Sequence, residues 1–206
     1  MQKLIPAERQ NEEKVANILH PLVREWFFNK FGEFSETQLY GVHYIHERRN
    51  ILISAPTGGT KTLTAFLSIL NYLVDLAQRH ELENRVYAVY SSPLKSLGND
   101  IYVNLGKPLE EITELAEKKG IKLDKIRVRI RTGDTSASEK QKMARTAPHI
   151  LVTTPETLAI TLTTKKLIEK FTRVEFIIID EIHAMSNKRG VHMSLTVERL
   201  QDLSEI

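Results

Sequence analysis

The sequence predicts an α/β domain built on a mostly parallel sheet, and three observations carry that prediction. From Asn50 onward, short apolar runs alternate with longer segments patterned at the helical period. One run, Ile51-Leu52-Ile53, opens into a glycine-containing turn that ends in Lys61-Thr62. Another, Val174 to Ile179, terminates in Asp180-Glu181. Strands separated by helices return through right-handed crossovers and are covered on both faces. In such sheets ligands bind beyond the carboxyl ends of the strands, and both polar segments lie there.

The elements follow in order. Val15, Ile18, Leu19, Leu22, Val23 and Trp26 recur at helical spacing, with Pro21 as a break between two helices. The aromatic cluster Trp26, Phe27, Phe28, Phe31 and Phe34 closes this segment, and residues 1–34 are read as an N-terminal helical part preceding a domain over 35–206. Ser35-Glu36-Thr37-Gln38 has the form of a capping box and predicts a helix to about Arg48. Ile51 to Ile53 is expected as a buried strand, and Thr62 to Gln78 as an amphipathic helix with Leu63, Phe66, Leu67 and Leu70 on its apolar side. Val86 to Tyr90 is the next strand. Helical patterning then runs from Leu94 to Lys119 and stops at Gly120. Ile126, Val128 and Ile130 alternate with Arg127, Arg129 and Arg131, which predicts a strand with a wet, basic face. A helix over Ser136 to Arg145, a strand over Ile150 to Val152, a helix with Pro155 in its first turn, the strand Val174 to Ile179 and a helix over Val191 to Leu203 complete the chain.

Bulk properties narrow the class. The 206 residues suffice for one well-cored domain. The absence of Cys excludes a disulfide framework and a thiolate metal site, and fits an intracellular, cytoplasmic protein. No run approaches the roughly 18 apolar residues of a membrane helix, and the start lacks the apolar core of a secretory signal. A net charge of +3 mildly favours an anionic partner without identifying one.

The segment Ala55-Pro56-Thr57-Gly58-Gly59-Thr60-Lys61-Thr62 has the logic of a phosphate loop. Backbone N–H groups of the turn and of the helix it opens form an anion site. Lys61 reaches β- and γ-phosphates, and the Thr62 hydroxyl is a ligand for Mg²⁺. Ala55 stands at the first Gly of the usual G-x-x-x-x-G-K-[ST] pattern, and Thr60 stands at the second. Thr60 removes the Gly that lets a phosphate approach closely, while Gly58-Gly59 offers that flexibility one residue earlier, so weakened and ordinary nucleotide affinity stand side by side. About 120 residues on, Asp180 supplies a carboxylate for the Mg²⁺ shell and Glu181 a group to orient and deprotonate an attacking water. A zinc site from Asp180, Glu181, His183 and His192 matches no ligand spacing.

With these residues in view, the chain resembles the first RecA-like domain of a superfamily-two helicase, nearest the Lhr (large helicase-related) group. The resemblance rests on Ala-Pro-Thr-Gly at 55–58, Ser-Pro-Leu-Lys at 92–95 and Arg-Thr-Gly-Asp-Thr at 131–135. It rests equally on Pro-His-Ile-Leu-Val-Thr-Thr-Pro-Glu-Thr-Leu at 148–158, Asp-Glu-Ile-His-Ala at 180–184 and Asn-Lys-Arg-Gly-Val-His at 187–192. It implies a three-layer α/β/α RecA-like P-loop domain using ATP and Mg²⁺, working with a second RecA-like lobe of the same parent chain. It further implies translocation along single-stranded DNA, 3′-to-5′, with no membrane partner and a monomeric fragment that alone hydrolyses little ATP. An RNA helicase lobe, or a scaffold that has lost hydrolysis, stand beside that reading.

The resemblance also assigns Gln38 as the adenine-reading residue, although Gln38 equally completes the capping box. Phe31 is the aromatic expected under the base, with core packing as the alternative. His183 is expected to couple the site to the second lobe, or to be an ordinary surface histidine. Loops after the strands are expected to meet the sugar-phosphate backbone, which serves sequence-independent movement: Ser92, Pro93 and Lys95; Thr132 and Gly133; Thr154, Pro155 and Glu156. Each is also ordinary strand-end and helix-start chemistry. The Arg127, Arg129 and Arg131 stripe is either part of that surface or simply solvated.

Overall fold

The computed structural model describes residues 4–55, 60–93, 101–185 and 188–204, and the chain forms two compact units, Met1–Glu81 with Tyr102–Asp124 and Leu82–Ile101 with Lys125–Ile206. The first unit is helical. Helix α1 (Glu12–Asn17) is capped by Asn11, and α2 (Pro21–Phe31) begins with Pro at its first position, where a missing N–H costs nothing. The chain leaves α2 through Gly32 at φ +78°, a conformation that suits glycine. Helix α3 (Glu36–His46) opens with the expected capping box: the Gln38 side chain accepts from Ser35 N–H at 2.8 Å while Ser35 caps the Gln38 amide.

Helix α4 (Thr60–Gln78) is the spine of this unit. Its apolar side, including Phe66, Leu67, Leu70 and Leu73, is fully buried, and so is a polar stripe of Thr64, Ser68 and Asn71 that the amphipathic pattern places outside. These groups are satisfied internally. Ser68 Oγ donates to Val42 O of α3 (3.2 Å), Asn71 Nδ2 donates to Ile18 O (3.0 Å), and His20 N–H donates to Asn71 Oδ1 (2.5 Å). Helices α3 and α4 approach closely at Gly41, where a Cβ would meet Thr64 Cγ2 at 2.7 Å. A π-helical turn (Tyr102–Gly106) leads into α5 (Lys107–Lys118), which ends at Gly120 with φ +69°. Glu111 of α5 accepts from Trp26 Nε1 (2.7 Å) and pairs with Lys30 of α2.

Residues Ile51 to Ile53 are not a strand, against expectation. Leu52 is 62% exposed, and the Ile53 side chain packs toward Gly41 of α3. A three-residue run offers few ladder hydrogen bonds, and here its apolar character is satisfied by packing on a helix.

The second unit holds the sheet. Strands β1 (Ala88–Ser91), β2 (Val128–Arg131), β3 (Ile150–Thr153) and β4 (Phe176–Ile179) are all parallel, in the order β2-β3-β1-β4. Between them run α6 (Ala137–Arg145, with a Ser136–Glu139 capping box), α7 (Pro155–Thr161), α8 (Lys165–Ile168) and, after β4, α9 (Lys188–Ser204). Val89 and Leu151 of the sheet form a core with Leu158, Phe171, Met193 and Leu200.

The Arg stripe on β2 is not uniformly wet. Arg131, in register with Thr153, is buried, whereas Arg129, in register with Leu151, is exposed as expected. Arg131 is 6% exposed, its Nε has no partner among the described residues, and burial pushes its pKa down, whereas Ile130 on the opposite face is 46% exposed. Arg127 is partly buried and its Nε donates to Ala147 O at 2.7 Å.

One titratable cap makes the first unit pH-sensitive. His20 Nδ1 accepts from Leu22 N–H at 3.3 Å, which requires neutral imidazole, and burial holds its pKa below the ordinary 6.5. Unfolded chains therefore bind the proton first, and the contribution is intact above pH 6.5 and lost as pH falls through the depressed folded value. Thermal melting should fall between pH 7.5 and 5.5, and His20→Asn, which caps without titrating, should shrink that drop.

Candidate functional site

The phosphate-loop residues lie in the first unit. Thr57, Gly58 and Gly59 fall outside the described residues. Thr60, Lys61 and Thr62 form the first turn of α4, so the Lys and the hydroxyl stand where unpaired helix N–H groups and the positive dipole end coincide. Lys61 Nζ donates to Ala55 O at 2.7 Å, spanning the two ends of the loop. Thr60 carries no special backbone strain as the opening residue of α4, and its carbonyl accepts from Thr64 Oγ1 (2.5 Å).

Gln38 is 3% exposed and its Oε1 is committed to the capping box, which leaves the amide nitrogen as the end able to donate outward. Phe31 is the open member of its aromatic cluster. It is 42% exposed, while Trp26, Phe27 and Phe34 are buried, and it stands edge-on to Trp26 at 5.8 Å.

The acidic strand end lies in the second unit. Asp180 N–H donates to Ser91 O of β1 (2.9 Å), continuing the ladder one residue past β4. Its Oδ2 accepts from Tyr90 OH and its Oδ1 from Glu181 N–H at 2.8 Å, so the carboxylate is fixed in place. Glu181 sits in the left-handed region at φ 54°, ψ 44°. A non-glycine residue there is strained, and such strain gathers at functional strand ends. Its carboxylate pairs with His183 Nε2 at 3.0 Å, and His183 is otherwise open to solvent. No cluster of three or more His, Cys, Asp or Glu residues suited to a metal occurs among the described residues. A single fixed carboxylate does fit Mg²⁺, which keeps most of its water.

The loops expected to form a track converge in the second unit. Pro93, Gly133, Thr154, Pro155 and Glu156 line one groove of about 370 Å³. Ser92 is fully buried, with its N–H donating to Thr153 O (3.1 Å) and its Oγ without a partner among the described residues. Thr132 N–H donates to Thr135 Oγ1 (2.8 Å), forming the turn that carries Gly133, whose surroundings are open. Lys140 Nζ donates to the Gly133 carbonyl at 3.4 Å. Thr154 caps α7 by accepting from Thr157 N–H (3.3 Å), so its hydroxyl serves the helix start as well as the groove. Lys95 falls outside the described residues.

Sequence reasoning missed Arg189. It lies on α9, also lines the groove, and pairs with Glu156. The signal was present in Asn-Lys-Arg-Gly-Val-His at 187–192, read only as resemblance. Gly190 explains the local requirement: a Cβ there would lie 2.5 Å from Met185 O, so only glycine lets the first turn of α9 close on Met185 at the groove wall.

A Lys-Thr pair at a helix start, a fixed Asp-Glu strand end and strand-end loops on a parallel sheet are the features that a P-loop domain carries. The chain belongs to the DEAD/DEAH box helicase family, whose model matches residues 35–205. Its relatives bear out the resemblance to the Lhr group. It is 48% identical to ATP-dependent helicase Lhr-Core of Methanocaldococcus jannaschii over 94% of this chain, covering 23% of that protein. It is 39% identical to the Lhr helicase/uracil glycosylase of Escherichia coli over 91% of this chain and 12% of that one. The fold is similar to Mycobacterium smegmatis helicase Lhr bound to ssDNA and AMP-PNP, with TM-score 0.81, 37% identity, and coverage of 92% of this chain and 24% of that chain. The parallel sheet with its helices is thus RecA-like, as the resemblance implied. The chain spans under a quarter of the length of these relatives.

Gly190→Ala should destabilise the second unit by about 1–3 kcal/mol, the range for overpacking. Urea denaturation checks this, and an unchanged midpoint would show that Met185 and α9 separate freely.

Proposed function

We propose that this chain is the ATP-binding motor lobe of an ATP-dependent helicase that moves 3′-to-5′ on single-stranded DNA. The observation that carries the nucleotide part is Lys61-Thr62 in the first turn of α4 together with the strand-end pair Asp180-Glu181 in a chain of this family. Lys61 would hold the β- and γ-phosphates. Thr62 and Asp180 would hold Mg²⁺, which when bound neutralises charge on the phosphates. Glu181 takes the proton of the attacking water, and His183, paired with it, is placed to make that step depend on what contacts the exposed imidazole. Gln38 donates its amide N–H to the adenine edge while its oxygen keeps the capping box, and Phe31 stacks on the base with its exposed ring.

For the nucleic acid, support comes from the gathering of Pro93, Gly133, Thr154, Pro155 and Glu156 on one groove. Ser92, Thr132 and Lys95 belong to the same loops. Such a surface offers small side chains and backbone to phosphates, not donors arranged for base edges. The ssDNA in the similar Mycobacterium smegmatis structure favours DNA over RNA. A second RecA-like lobe in the parent protein would supply arginine fingers, whose loss in related phosphoryl transfer costs about 10³–10⁵ in rate.

Thermal unfolding with AMP-PNP and Mg²⁺ tests the nucleotide reading. Ligand at about 100 times its dissociation constant should stabilise by about 2.7 kcal/mol, and Lys61→Ala should abolish the shift. A wild-type chain that melts identically with and without nucleotide points instead to a scaffold. Multiple turnovers stimulated by DNA in this chain alone would overturn the need for a second lobe.

A further inference from the structure

The groove has an electrostatic difficulty as a phosphate track. Among the described residues that line it, the charged side chains are Asp134, Glu156 and Arg189, so two carboxylates face a single cation. That cation is turned onto one of the acids: Arg189 Nε lies 3.2 Å from Glu156 Oε1. A carboxylate cannot itself receive a phosphate oxygen, since both are anionic acceptors. Glu156 therefore has no direct part in gripping a backbone phosphate.

We propose that Arg189 is a phosphate-contacting residue of this groove, held back by Glu156 in an ion pair that an incoming backbone phosphate exchanges. The inference rests on the groove reading given under the proposed function and assigns the groove a cation besides Lys95. Three observations support it. First, the pair is exposed, at 67% for the Arg189 side chain and 53% for Glu156, and exposed pairs of this kind stabilise little and yield to competitors. Second, the contact engages one Arg nitrogen with one carboxylate oxygen, which leaves most of the five-donor fork for a phosphate, the ligand its geometry matches. Third, the position is fixed where side chains are not: Gly190 packs the first turn of α9 against Met185, another lining residue, so Arg189 stays at the rim whichever anion it holds. Glu156 is then a positioning residue that keeps the groove closed to weak anions and releases Arg189 to a polyanion.

Fluorescence anisotropy with labelled oligo-dT, and oligo-U in a parallel arm, over a salt series tests this. Arg189→Ala should weaken binding about three- to tenfold at low salt and flatten the log–log salt slope by about 0.7, the value for one lost phosphate contact on a single strand. Glu156→Gln should tighten binding about two- to threefold, and that gain should vanish when Arg189→Ala is present, because the two residues act through each other. Both side chains are exposed, so melting curves should match wild type and exclude misfolding as the cause. If wild type binds but Arg189→Ala leaves affinity and slope unchanged, the exchange is overturned and the groove reading survives. A Glu156→Gln gain that persists without Arg189 also overturns it, since simple repulsion then explains the acid. A wild-type chain that binds neither oligonucleotide overturns the groove reading and this inference together.

Discussion

The parallel register of the four-stranded sheet is the constraint on which the second unit depends. Arg131 pairs with Thr153, Thr153 with Ser91, and Ser91 with Ile179, so the four strands end level. The residues that follow them, Thr132, Thr154, Ser92 and Asp180, are thereby delivered side by side to one edge. Nothing else in the sequence brings them together: they are spread over nearly ninety positions, and no motif spans more than one of them. Backbone hydrogen bonds extend the alignment by one step, with Ser92 N–H to Thr153 O and Asp180 N–H to Ser91 O. A slip of one residue in any pairing would turn that strand's side chains to the other face and withdraw its loop from the edge.

That alignment also accounts for the left-handed backbone at Glu181. Asp180 is locked by the ladder, by Tyr90 and by the Glu181 amide. The chain must then leave the sheet at once to make the 3₁₀ turn Ile182–Ala184, and Glu181 absorbs the change in direction with a left-handed backbone. Glycine would adopt that conformation more readily. Glu181 holds its carboxylate there at a conformational expense, as Arg48 and His80 also take positive φ just past helix ends.

Much of this was legible in the sequence, and the failures have a common cause. Local signals were read correctly because they act over four residues: the Ser35–Gln38 and Ser136–Glu139 capping boxes, Pro21 and Pro155 at helix starts, and Gly120 past α5. Three strands begin two residues later than their apolar runs. Val86, Ile126 and Val174 are buried, but pairing starts at Ala88, Val128 and Phe176. Apolar pattern reports burial, whereas a ladder needs a partner in register, and the partner is set elsewhere in the chain. The same gap accounts for Ile51 to Ile53, buried in part without pairing, and for Arg131, whose face is dictated by β3. The Glu156–Arg189 pair joins residues on two helices separated by β4, and charge at a distance of thirty-three positions leaves no periodic trace.

The site residues share a further property. Most are already satisfied within the protein: Thr153 Oγ1 donates to Arg131 O, Thr154 caps α7, Thr135 closes the turn at Thr132, and Asp180 has both oxygens engaged. These bonds fix geometry, so the groove is organised before any ligand arrives, and ordering entropy is not left to be lost on binding. What remains open at the rim is exposed and weakly held, chiefly Arg189 and His183, each paired to an acid through one nitrogen. On the proposed function, a motor that grips and releases a backbone needs both properties. Rigid loops preserve the spacing between contacts, and exchangeable surface pairs let each contact form and break without disturbing the sheet that holds it.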